Sequence, residues 1–356
     1  MVYGGRIYRA KWWTQGEKPG QADVWLDTGT AAAATPAPET APTPVPNTGT
    51  GTAASSDFKV VAYYPSWKRD TGKLDFQVLT HVVYAFAIPT AEGGLRPLEN
   101  ADQVAGILRS AHSAGAKVLL GVGGWSYNDV PLEGTFLSAT STQERSHALV
   151  EAIVSMCNAY GFDGVDMDWE HPRVDGSSAG QYQRFMLELA ERLHSQGKVL
   201  SSAVLSGVTP DGNIYYDAAA HSDAVLAAVD WINVMAYDGG DGERHSSYSF
   251  AAGSGRYWRT TRGLPAHKVV LGVPFYARPS WASYENILAA VPDAYQKDHV
   301  TYNGMDAWYN GVDTIKKKTR FAMQELGGVM IWEVTQDTAD RSKSLLQAIG
   351  QALRGG

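Results

Sequence analysis

The chain has 356 residues, 44% of them hydrophobic, with 30 basic and 37 acidic side chains. This length and hydrophobic fraction exclude a chain that is disordered throughout, and they fit one large domain with a smaller segment. The net charge of −7 argues against a nucleic acid as the main partner. Because Cys157 is the single cysteine, neither an intramolecular disulfide nor a cysteine metal cluster can form.

The sequence predicts no membrane partner, because no apolar run approaches the roughly 20 residues that cross a bilayer. The opening stretch MVYGGRIYRAKWW lacks the charged-then-apolar pattern of a secretory signal. If the protein is exported, the chain is therefore expected to be a mature, trimmed or engineered form. We expect it to act as a monomer.

Residues 1–27 form a short aromatic segment, below the roughly 40 residues usually needed for an unaided fold. The segment resembles the latter part of the small chitin- and cellulose-binding modules with an AKWWTQG signature, matched here by residues 10–16. The resemblance implies that Trp12 and Trp13 lie flat on chitin. The alternative is that the two indoles pair in a small hydrophobic cluster.

Residues 28–56 read TGTAAAATPAPETAPTPVPNTGTGTAASS, with no aromatic and almost no charged side chain. Such a stretch cannot bury enough apolar surface to offset its chain entropy, and its prolines keep it extended. We predict a linker that joins the aromatic segment to a domain over residues 57–356.

Eight short apolar runs follow the linker and alternate with longer amphipathic ones. Their continuous valine, isoleucine and leucine character fits parallel strands that are covered on the outside. The predicted strands are Lys59 to Tyr64, His81 to Ala87, Lys117 to Val122, Gly164 to Trp169, Val199 to Leu205, Trp231 to Tyr237, Val269 to Phe275 and Gly328 to Trp332.

The segments between these strands place apolar residues at helical spacing. The predicted helices include Gln103 to Ala114, Thr142 to Tyr160, Ala179 to Ser195, Ala218 to Val229 and Val312 to Leu326. Eight strand and helix units in about 300 residues predict an α/β fold of the (β/α)8 TIM barrel type. A doubly wound open sheet is the alternative, but the first turn carries no GxGxxG and the candidate residues follow many different strands.

The stretch DGVDMDWE places Asp166, Asp168 and Glu170 at alternate positions of one predicted strand. Side chains of a strand alternate between its faces, so these three carboxylates share the inner face. Glu170 is last and is expected to reach highest into the barrel mouth. Asp163 is an odd number of residues away from these three, so it is expected to point to the opposite face and to be structural. Acids crowded in a low dielectric either bind a cation or share protons for chemistry.

The pattern from Asp163 to Glu170 resembles the DxxDxDxE signature of family 18 glycoside hydrolases, the chitinases, which are (β/α)8 barrels. Other matches extend along most of residues 58 to 350. Three segments resemble further family motifs: Gly121 to Trp125 (SxGGW, with Gly121 for the serine), Met235 to Asp238 (MxYD) and Pro274 to Arg278 (PxYGR, with Ala277 for the glycine). Trp332 matches the tryptophan that forms the floor under the cleaved sugar.

The chemistry follows from what a glycosidic bond needs. Its oxygen leaves only when protonated, so one carboxylic acid has to keep its proton near neutral pH. Neighbouring aspartates raise the pKa of such an acid, and Glu170 is the residue placed to use it. Asp166 and Asp168 are expected to share a proton and to titrate as a coupled pair. No second carboxylate is obviously placed as a nucleophile across the cleft.

The family resemblance implies how the second carboxylate is replaced. The substrate's N-acetyl group attacks the anomeric carbon, a cyclic oxazolinium ion forms, and the configuration is retained. Asp168 is then expected to accept the acetamido N–H, Tyr237 to donate to the acetamido oxygen, and Asp166 to hold Asp168. The implied partners are chitin and N-acetylglucosamine oligosaccharides, without a cofactor.

The remaining candidates are substrate-binding residues, assigned by position within the resemblance. Trp332 is expected to favour a distorted ring through its apolar face. An aromatic residue at a strand end is also often plain core, so each assignment has a structural alternative. The other candidates are Tyr63, Phe86, Trp125, Met235, Asp238, Tyr276 and Arg278.

Metal and serine chemistry find no support in the sequence. A helix-loop-helix calcium loop requires Gly at its sixth position, which is His171 when the loop is counted from Asp166. No histidine belongs to an HExxH motif, and Ser126 lacks a GxSxG elbow. We therefore predict no metal site. His171 either tunes the neighbouring acid or has a structural role at the mouth.

Two other functions stay open. A sugar-binding lectin on the same barrel typically lacks the terminal glutamate, whereas Glu170 is present here. An endo-β-N-acetylglucosaminidase acting on N-glycan cores shares the barrel and the acid. Bacterial enzymes of that kind commonly carry Asn after the strand-six tyrosine, where this chain has Asp238.

The mode of attack is predicted from one insertion. Many processive relatives carry an added α+β subdomain between strand seven and its helix, but residues 276–311 are too few for a complete one. We predict a shallow, open cleft and endo-cleavage. A polymeric substrate, a linker and a binding segment together imply a secreted protein.

Overall fold

The computed structural model describes residues 2–3, 6–10, 25–30, 58–176 and 178–355. The chain divides into two compact units, residues 1–50 and 51–356. None of the described helices is both long and apolar enough to pass through a membrane.

The described part of the first unit is a small antiparallel sheet. Its strands are β1 (Val2–Tyr3), β2 (Arg6–Ala10) and β3 (Trp25–Thr30), in the order β1-β2-β3. Strand β3 continues to Thr30 and therefore includes the first three residues of the predicted linker. The rest of the linker, residues 31–56, and the two predicted chitin-surface residues, Trp12 and Trp13, lie outside the described residues.

The second unit is built around a closed barrel of eight parallel strands. The strands are β4 (Lys59–Pro65), β5 (His81–Ala87), β6 (Lys117–Gly123), β9 (Gly164–Asp168), β10 (Val199–Leu205), β11 (Trp231–Met235), β12 (Val269–Pro274) and β16 (Gly328–Trp332). Each strand pairs with the next one in this order, and β16 pairs with β4. The predicted TIM barrel is confirmed, and the open doubly wound sheet is wrong.

Helices surround the barrel on its outer side. They are α1 (Val104–Ser113), α2 (Glu133–Ala139), α3 (Gln143–Tyr160), α4 (Ser178–His194), α5 (Asp223–Ala228), α6 (Tyr248–Arg256), α7 (Tyr284–Ala290), α8 (Val312–Glu325) and α9 (Leu345–Arg354). Apolar side chains of these helices and of the outer strand faces form one large core cluster. A second cluster fills the barrel interior.

One predicted helix is divided. The segment from Ala218 to Val229 contains the end of a 3-10 turn and the separate helix α5. Ser222 between them is extended, and its hydroxyl accepts a hydrogen bond from the backbone N–H of Val225. A serine that caps a helix in this way favours a new start over a continuous helix.

Two short insertions lie beside the barrel mouth. The strands β7 (Ser126–Tyr127) and β8 (Val130–Pro131) form a hairpin after β6. The strands β13 (Arg278–Pro279), β14 (His299–Tyr302) and β15 (Met305–Trp308) form a sheet of order β13-β15-β14 after β12. With α7, this sheet makes up the reduced insertion that the sequence predicts between strand seven and its helix.

Candidate active site

A cavity of about 1180 Å³ lies at the mouth of the barrel, lined by residues that end or follow its strands. Residues from the loops after β4, β6 and β12 extend its wall. Asp166 lies below the cavity and is completely buried. The predicted site residues that line it are Tyr63, Phe86, Trp125, Asp168, Glu170, Met235, Tyr237, Asp238, Tyr276, Arg278 and Trp332.

The inner and outer faces of β9 carry different chemistry, as the alternation predicts. Val165, Met167 and Trp169 are buried in the cluster between barrel and helices. The Trp169 ring stacks on Phe136 of α2 at 4.7 Å between centroids. This packing fixes the rotation of the strand, and it leaves the carboxylates between these residues facing the barrel interior. The strand itself ends at Asp168, one residue before its predicted end.

Asp166 is bound by three donors from three other strands. Its Oδ2 accepts from the Tyr63 hydroxyl at 2.5 Å, and its Oδ1 accepts from Ser201 Oγ at 2.5 Å and from Asn233 Nδ2 at 2.8 Å. Burial raises the pKa of Asp166, although each of these hydrogen bonds acts in the opposite direction. Donors that occupy both oxygens also leave them poorly available to a calcium ion.

Asp168 has a different environment. The residue is 4% exposed, and among the described residues its Oδ1 is buried without a hydrogen-bond partner. Burial raises the pKa of Asp168 well above its usual range, and the charges of Glu170 and Asp166 raise it further. Asp166 is expected to hold Asp168 and to share a proton with it, whereas the hydrogen bonds of its carboxylate among the described residues go to Tyr63, Ser201 and Asn233. The interaction between these two residues is electrostatic.

Glu170 is a largely buried acid at the wall of the cavity. Its side chain is 16% exposed at the cavity wall. Burial raises its pKa to about 7, and the charge of Asp238 is the second cause. Neighbouring aspartates of the same motif are expected to raise this pKa, but burial is the larger cause. Desolvation dominates, and the helping charge comes from the end of a different strand.

His171 follows Glu170 and shares its wall. His171 Nε2 lies 3.5 Å from Glu170 Oε2, and the imidazole ring lies 6.4 Å from the ring of Trp125. Burial lowers the pKa of His171 to about 4, and the charge of Arg173 lowers it further. The imidazole beside the acid is therefore neutral near neutral pH, so it adds no positive charge that would favour loss of the Glu170 proton.

Asp163, at the start of the motif, makes structural contacts, as its position on the opposite strand face predicts. Its Oδ2 accepts from the backbone N–H of Val118 at 2.7 Å and lies 2.9 Å from His112 Nε2. These contacts connect the amino end of β9 to β6 and α1. Asp163 does not line the cavity.

Tyr237 directs its hydroxyl into the cavity region. The hydroxyl contacts the sulfur of Met330 at 4.0 Å, which is a weak interaction. Burial raises the pKa of Tyr237 well above its usual range, with further increases from Asp168 and Glu170. The phenol therefore keeps its proton and is a donor. Gly272 of β12 makes room for it, since a Cβ there would lie 2.9 Å from the Tyr237 ring.

Asp238 is held by a network of three side chains. The Tyr276 hydroxyl donates to its Oδ2 at 2.6 Å, and Arg278 donates to its Oδ1 at 3.2 Å. The buried His245 lies with Nδ1 3.2 Å from the same oxygen and Nε2 3.2 Å from the Tyr276 carbonyl. Burial opposes ionisation of Asp238, but the hydrogen bonds from His245 and Tyr276 outweigh it and lower the pKa.

Trp332 belongs to an aromatic group contributed by three adjacent strands. Its ring packs edge-on against Tyr63 at 5.5 Å and stacks on Phe86 at 5.8 Å. Tyr63 also donates to Asp166, so the aromatic group and the buried acid share one residue. An indole held in this way presents a fixed apolar surface at the barrel mouth.

The glycine-rich segment before Trp125 is shaped by close packing. A Cβ on Gly123, which has φ of 111°, would lie 2.3 Å from the Asp168 carbonyl oxygen. Gly124 donates its N–H to the same oxygen at 2.8 Å. A Cβ on Gly121 would lie 2.8 Å from Val83 and 3.2 Å from Phe86, so these two neighbours fill the space of the serine in the family pattern. The packing of Val83, and next of Phe86, therefore favours glycine at this position.

The second departure from the family pattern has an equally local reason. Ala277 stands where the PxYGR segment has glycine, and its φ lies outside the left-handed region. A Cβ is therefore tolerated. Its N–H donates to the Ala282 carbonyl, so the backbone turns back toward the cavity wall at this position.

Some residues of the site were missed from the sequence. Ser201 and Asn233 are polar residues inside apolar strands, and this exception to the strand pattern was a usable signal. His245 and Trp67 belong to no motif and are brought to the site only by the loops that carry them. Trp281 also lines the cavity and is 62% exposed.

The fold and this site together define a barrel glycoside hydrolase. The chain matches the model for glycosyl hydrolases family 18 over residues 59–337, and it belongs to this family. A solved structure of the GH18 chitinase ChiB from Flavobacterium johnsoniae is similar to this fold, with a TM-score of 0.71 and 29% identity. The match covers 84% of this chain and 94% of the other.

Two curated relatives bear chitinase names. Chitotriosidase-1 of Mus musculus is 26% identical over 353 residues, covering 78% of this chain and 73% of the relative. Chitinase A1 of Niallia circulans is 23% identical over 416 residues, covering 82% and 58%. A third relative, a chitinase-like effector of Moniliophthora roreri, is 29% identical over 265 residues, covering 67% and 62%. The chain thus spans about six tenths of the length of the last two.

Proposed function

We propose that the protein is a chitinase that hydrolyses β-1,4 linkages between N-acetylglucosamine units with retention of configuration. The observation that carries this proposal is Glu170, an acid with a pKa of about 7 that lines the cavity together with Asp168, whose Oδ1 has no hydrogen-bond partner in the described part of the chain. A protonated donor and a free acceptor are what the leaving oxygen and an acetamide N–H require.

In the proposed first step, Glu170 gives its proton to the glycosidic oxygen while the bond from that oxygen to the anomeric carbon breaks. The acetamide oxygen of the same sugar forms a bond to the anomeric carbon, and an oxazolinium ion results. Asp168 accepts the acetamido N–H, and the positive charge that develops on the ion favours its carboxylate form, whose charge offsets that of the ion. Tyr237 donates to the acetamido oxygen and aligns it for attack.

In the second step, water attacks the anomeric carbon from the side that the leaving group vacated. The Glu170 carboxylate removes a proton from this water, and the bond to the acetamide oxygen breaks. Two displacements restore the original configuration. Asp166, bonded to three donors, stays fixed below the site and acts on Asp168 through its charge.

The state of Asp238 supports substrate assistance over a protein nucleophile. Both of its oxygens accept hydrogen bonds, from Tyr276 and Arg278. A carboxylate engaged in this way is a poor nucleophile, and its charge is better used to raise the pKa of Glu170. Trp332 would support the sugar whose bond is cleaved, and Trp125, Phe86 and Met235 would line neighbouring subsites.

The function is tested with chitin oligomers. Reducing ends should appear on incubation with the protein, and proton NMR of fresh products should show the β-anomer before mutarotation. Oligomers without acetyl groups should stay intact. Binding without any release of reducing ends would identify a lectin, and α-anomeric fresh products would contradict the mechanism. A panel that adds N-glycan cores separates the chitinase from an endo-β-N-acetylglucosaminidase.

We further propose endo-cleavage in an open cleft. The insertion after β12 contains a three-stranded sheet and one short helix, so the wall it adds is low. A chain can then enter the cleft from the side instead of being threaded from an end. A product series from polymer that is dominated by dimer in the first minutes would contradict this mode.

The rate should depend on pH through Glu170. Its pKa is raised to about 7, so the acid is protonated below that pH and loses its proton above it. We expect kcat/KM on chitin oligomers to fall about tenfold per pH unit above about pH 7, since this profile reports on the free enzyme. A profile between about pH 5 and pH 9 measures the midpoint.

The same pH profile tests why the pKa of Glu170 is raised. Asp238→Asn should move the midpoint to lower pH, because the charge of Asp238 is the second contribution to the raised pKa. Asp293→Asn is a matched control, since that exposed residue pairs with Lys297 outside the cavity. An unchanged midpoint in the Asp238 variant would show that burial acts alone.

We also propose that residues 1–27 attach the enzyme to crystalline chitin through Trp12 and Trp13, and that the protein is secreted. The proposal rests on the AKWWTQG signature and on the linker composition. Replacing both tryptophans by Ala should lower activity on insoluble chitin several-fold. Activity on soluble oligomers should be unchanged. Equal losses on both substrates would rule out a surface-binding role.

A further inference from the structure

Trp281 is an exposed indole in an unusual backbone conformation. It lies in the loop between β13 and α7, lines the cavity and is 62% exposed. Its φ is 56°, in the left-handed region that bulky residues rarely adopt. Such strain persists only where surrounding contacts enforce it, and it is concentrated at ligand sites. The position belongs to no motif in the sequence.

The contacts that hold Trp281 come from the network around Asp238. The Trp281 ring is parallel to the Tyr276 ring, with 5.8 Å between centroids and 0° between planes. The Arg278 guanidinium lies 4.0 Å from the Trp281 centroid. Arg278 is fixed in turn by Asp238 at 3.2 Å and by Asp241 at 3.1 Å. The indole is therefore ordered before any ligand arrives.

This arrangement has the properties of a sugar platform. The indole offers open apolar surface of the kind that packs on a pyranose ring, and its ordering entropy is already lost. The Arg278 guanidinium group lies next to the indole. Its Nε is buried and has no hydrogen-bond partner among the described residues. Arg278 also lines the cavity, so its guanidinium group stands beside any sugar that packs on the indole.

The topology separates Trp281 from the other exposed tryptophans of the cavity. Trp125 follows β6 and Trp281 follows β12, which stand on opposite sides of the eight-strand ring. Trp67 follows β4 and is 50% exposed. Trp332 is the partly buried member of the aromatic group at β16. The cavity wall thus carries aromatic surface at positions distinct from the sugar proposed above Trp332.

We propose that Trp281 is a stacking platform for a sugar that neighbours the one above Trp332, and that it selects which bond of an oligosaccharide is placed at Glu170. This inference rests on the proposed chitinase function and names a specificity-determining residue for it. Because the platform acts on binding and register, its loss should change KM and the cleavage pattern more than the chemical step.

The test compares Trp281→Ala with Trp281→Phe on N-acetylglucosamine hexamer. For the Ala variant we expect KM to rise roughly tenfold with kcat within a factor of about three. We also expect the ratio of trimer to dimer plus tetramer to change, as measured by mass spectrometry. The Phe variant keeps an aromatic face and should stay near the wild type. Tyr216→Ala is the matched control, since Tyr216 is 67% exposed and does not line the cavity.

The proposed function and the platform can fail separately. Hexamer binding is also titrated calorimetrically with Glu170→Gln and with Glu170→Gln/Trp281→Ala, after thermal melting has shown that each variant is folded. If the wild type releases no reducing ends, the proposed function fails, while roughly tenfold weaker binding by the double variant still supports the platform. Unchanged affinity, or an unchanged KM and cleavage pattern in Trp281→Ala, would overturn it.

Discussion

Replacement of Glu170 by Gln is expected to lower kcat on chitin oligomers by about 10²–10⁴-fold, the range that a positioned general acid contributes. Gln keeps the size of Glu and can still occupy a site with 16% side-chain exposure, but it has no proton to give to the leaving oxygen. The measurement is the initial rate of reducing-end release under saturating hexamer. KM should change little, because the carboxyl acts mainly in the transition state.

The fold of this variant should be unaffected. Burial disfavours the charged form of Glu170, so a neutral amide in its place removes a desolvation cost. The melting temperature of Glu170→Gln at neutral pH should thus equal or exceed that of the wild type. Glu92→Gln, an exposed change outside the cavity, is the matched control for chemistry. If kcat of the Glu170→Gln enzyme stayed within roughly tenfold of the wild-type value, Glu170 would not be the general acid.

Replacement of Asp168 by Asn is expected to lower kcat by about 10²–10³-fold, as loss of one preorganised electrostatic partner does in other enzymes. The amide keeps an oxygen that can accept the acetamido N–H. It brings no negative charge to offset the oxazolinium ion, so the loss should be in kcat. The measurement is the single-turnover rate with hexamer, which isolates the chemical step.

Stability should move in the opposite direction from activity in this variant. The folded-state pKa of Asp168 is raised, so the carboxyl destabilises the fold increasingly as pH rises above its ordinary value. Asn removes this cost, and the Asp168→Asn protein should melt at or above the wild-type temperature at pH 7. Asp166→Asn is the contrast, since its amide replaces one of two oxygens that both accept buried hydrogen bonds, and the variant should lose about 1–3 kcal/mol. Equal destabilisation of both variants would contradict the assigned environments.

Much of the site is predictable because it depends on short-range geometry. Alternation along a strand follows from the pleated backbone, so Asp166, Asp168 and Glu170 had to share the face opposite Val165 and Met167. The ends of parallel strands meet at one rim of a barrel, so motifs after different strands converge there. This is why residues as distant in sequence as Phe86 and Trp332 could be expected at one cavity.

Other features depend on which strands and loops become neighbours. The donors to Asp166 come from β4, β10 and β11, and no local pattern specifies that Tyr63, Ser201 and Asn233 point at one carboxylate. Among the described residues, these three donors make the hydrogen bonds of the Asp166 carboxylate. The helix predicted from Ala218 divided because a local cap at Ser222 competed with continuous periodicity.

By itself, the sequence determined the barrel and the inward carboxylates, and it singled out Glu170 as the proposed acid, because strand periodicity and motif spacing are encoded residue by residue. Only the tertiary structure decided how that acid is tuned and what surrounds it. Glu170 is desolvated and brought near the charge of Asp238 only when the strands close into a barrel. The Trp281 indole is ordered only when its loop packs on Tyr276 and Arg278. Burial and long-range contact are properties of the assembled barrel, not of any segment within it.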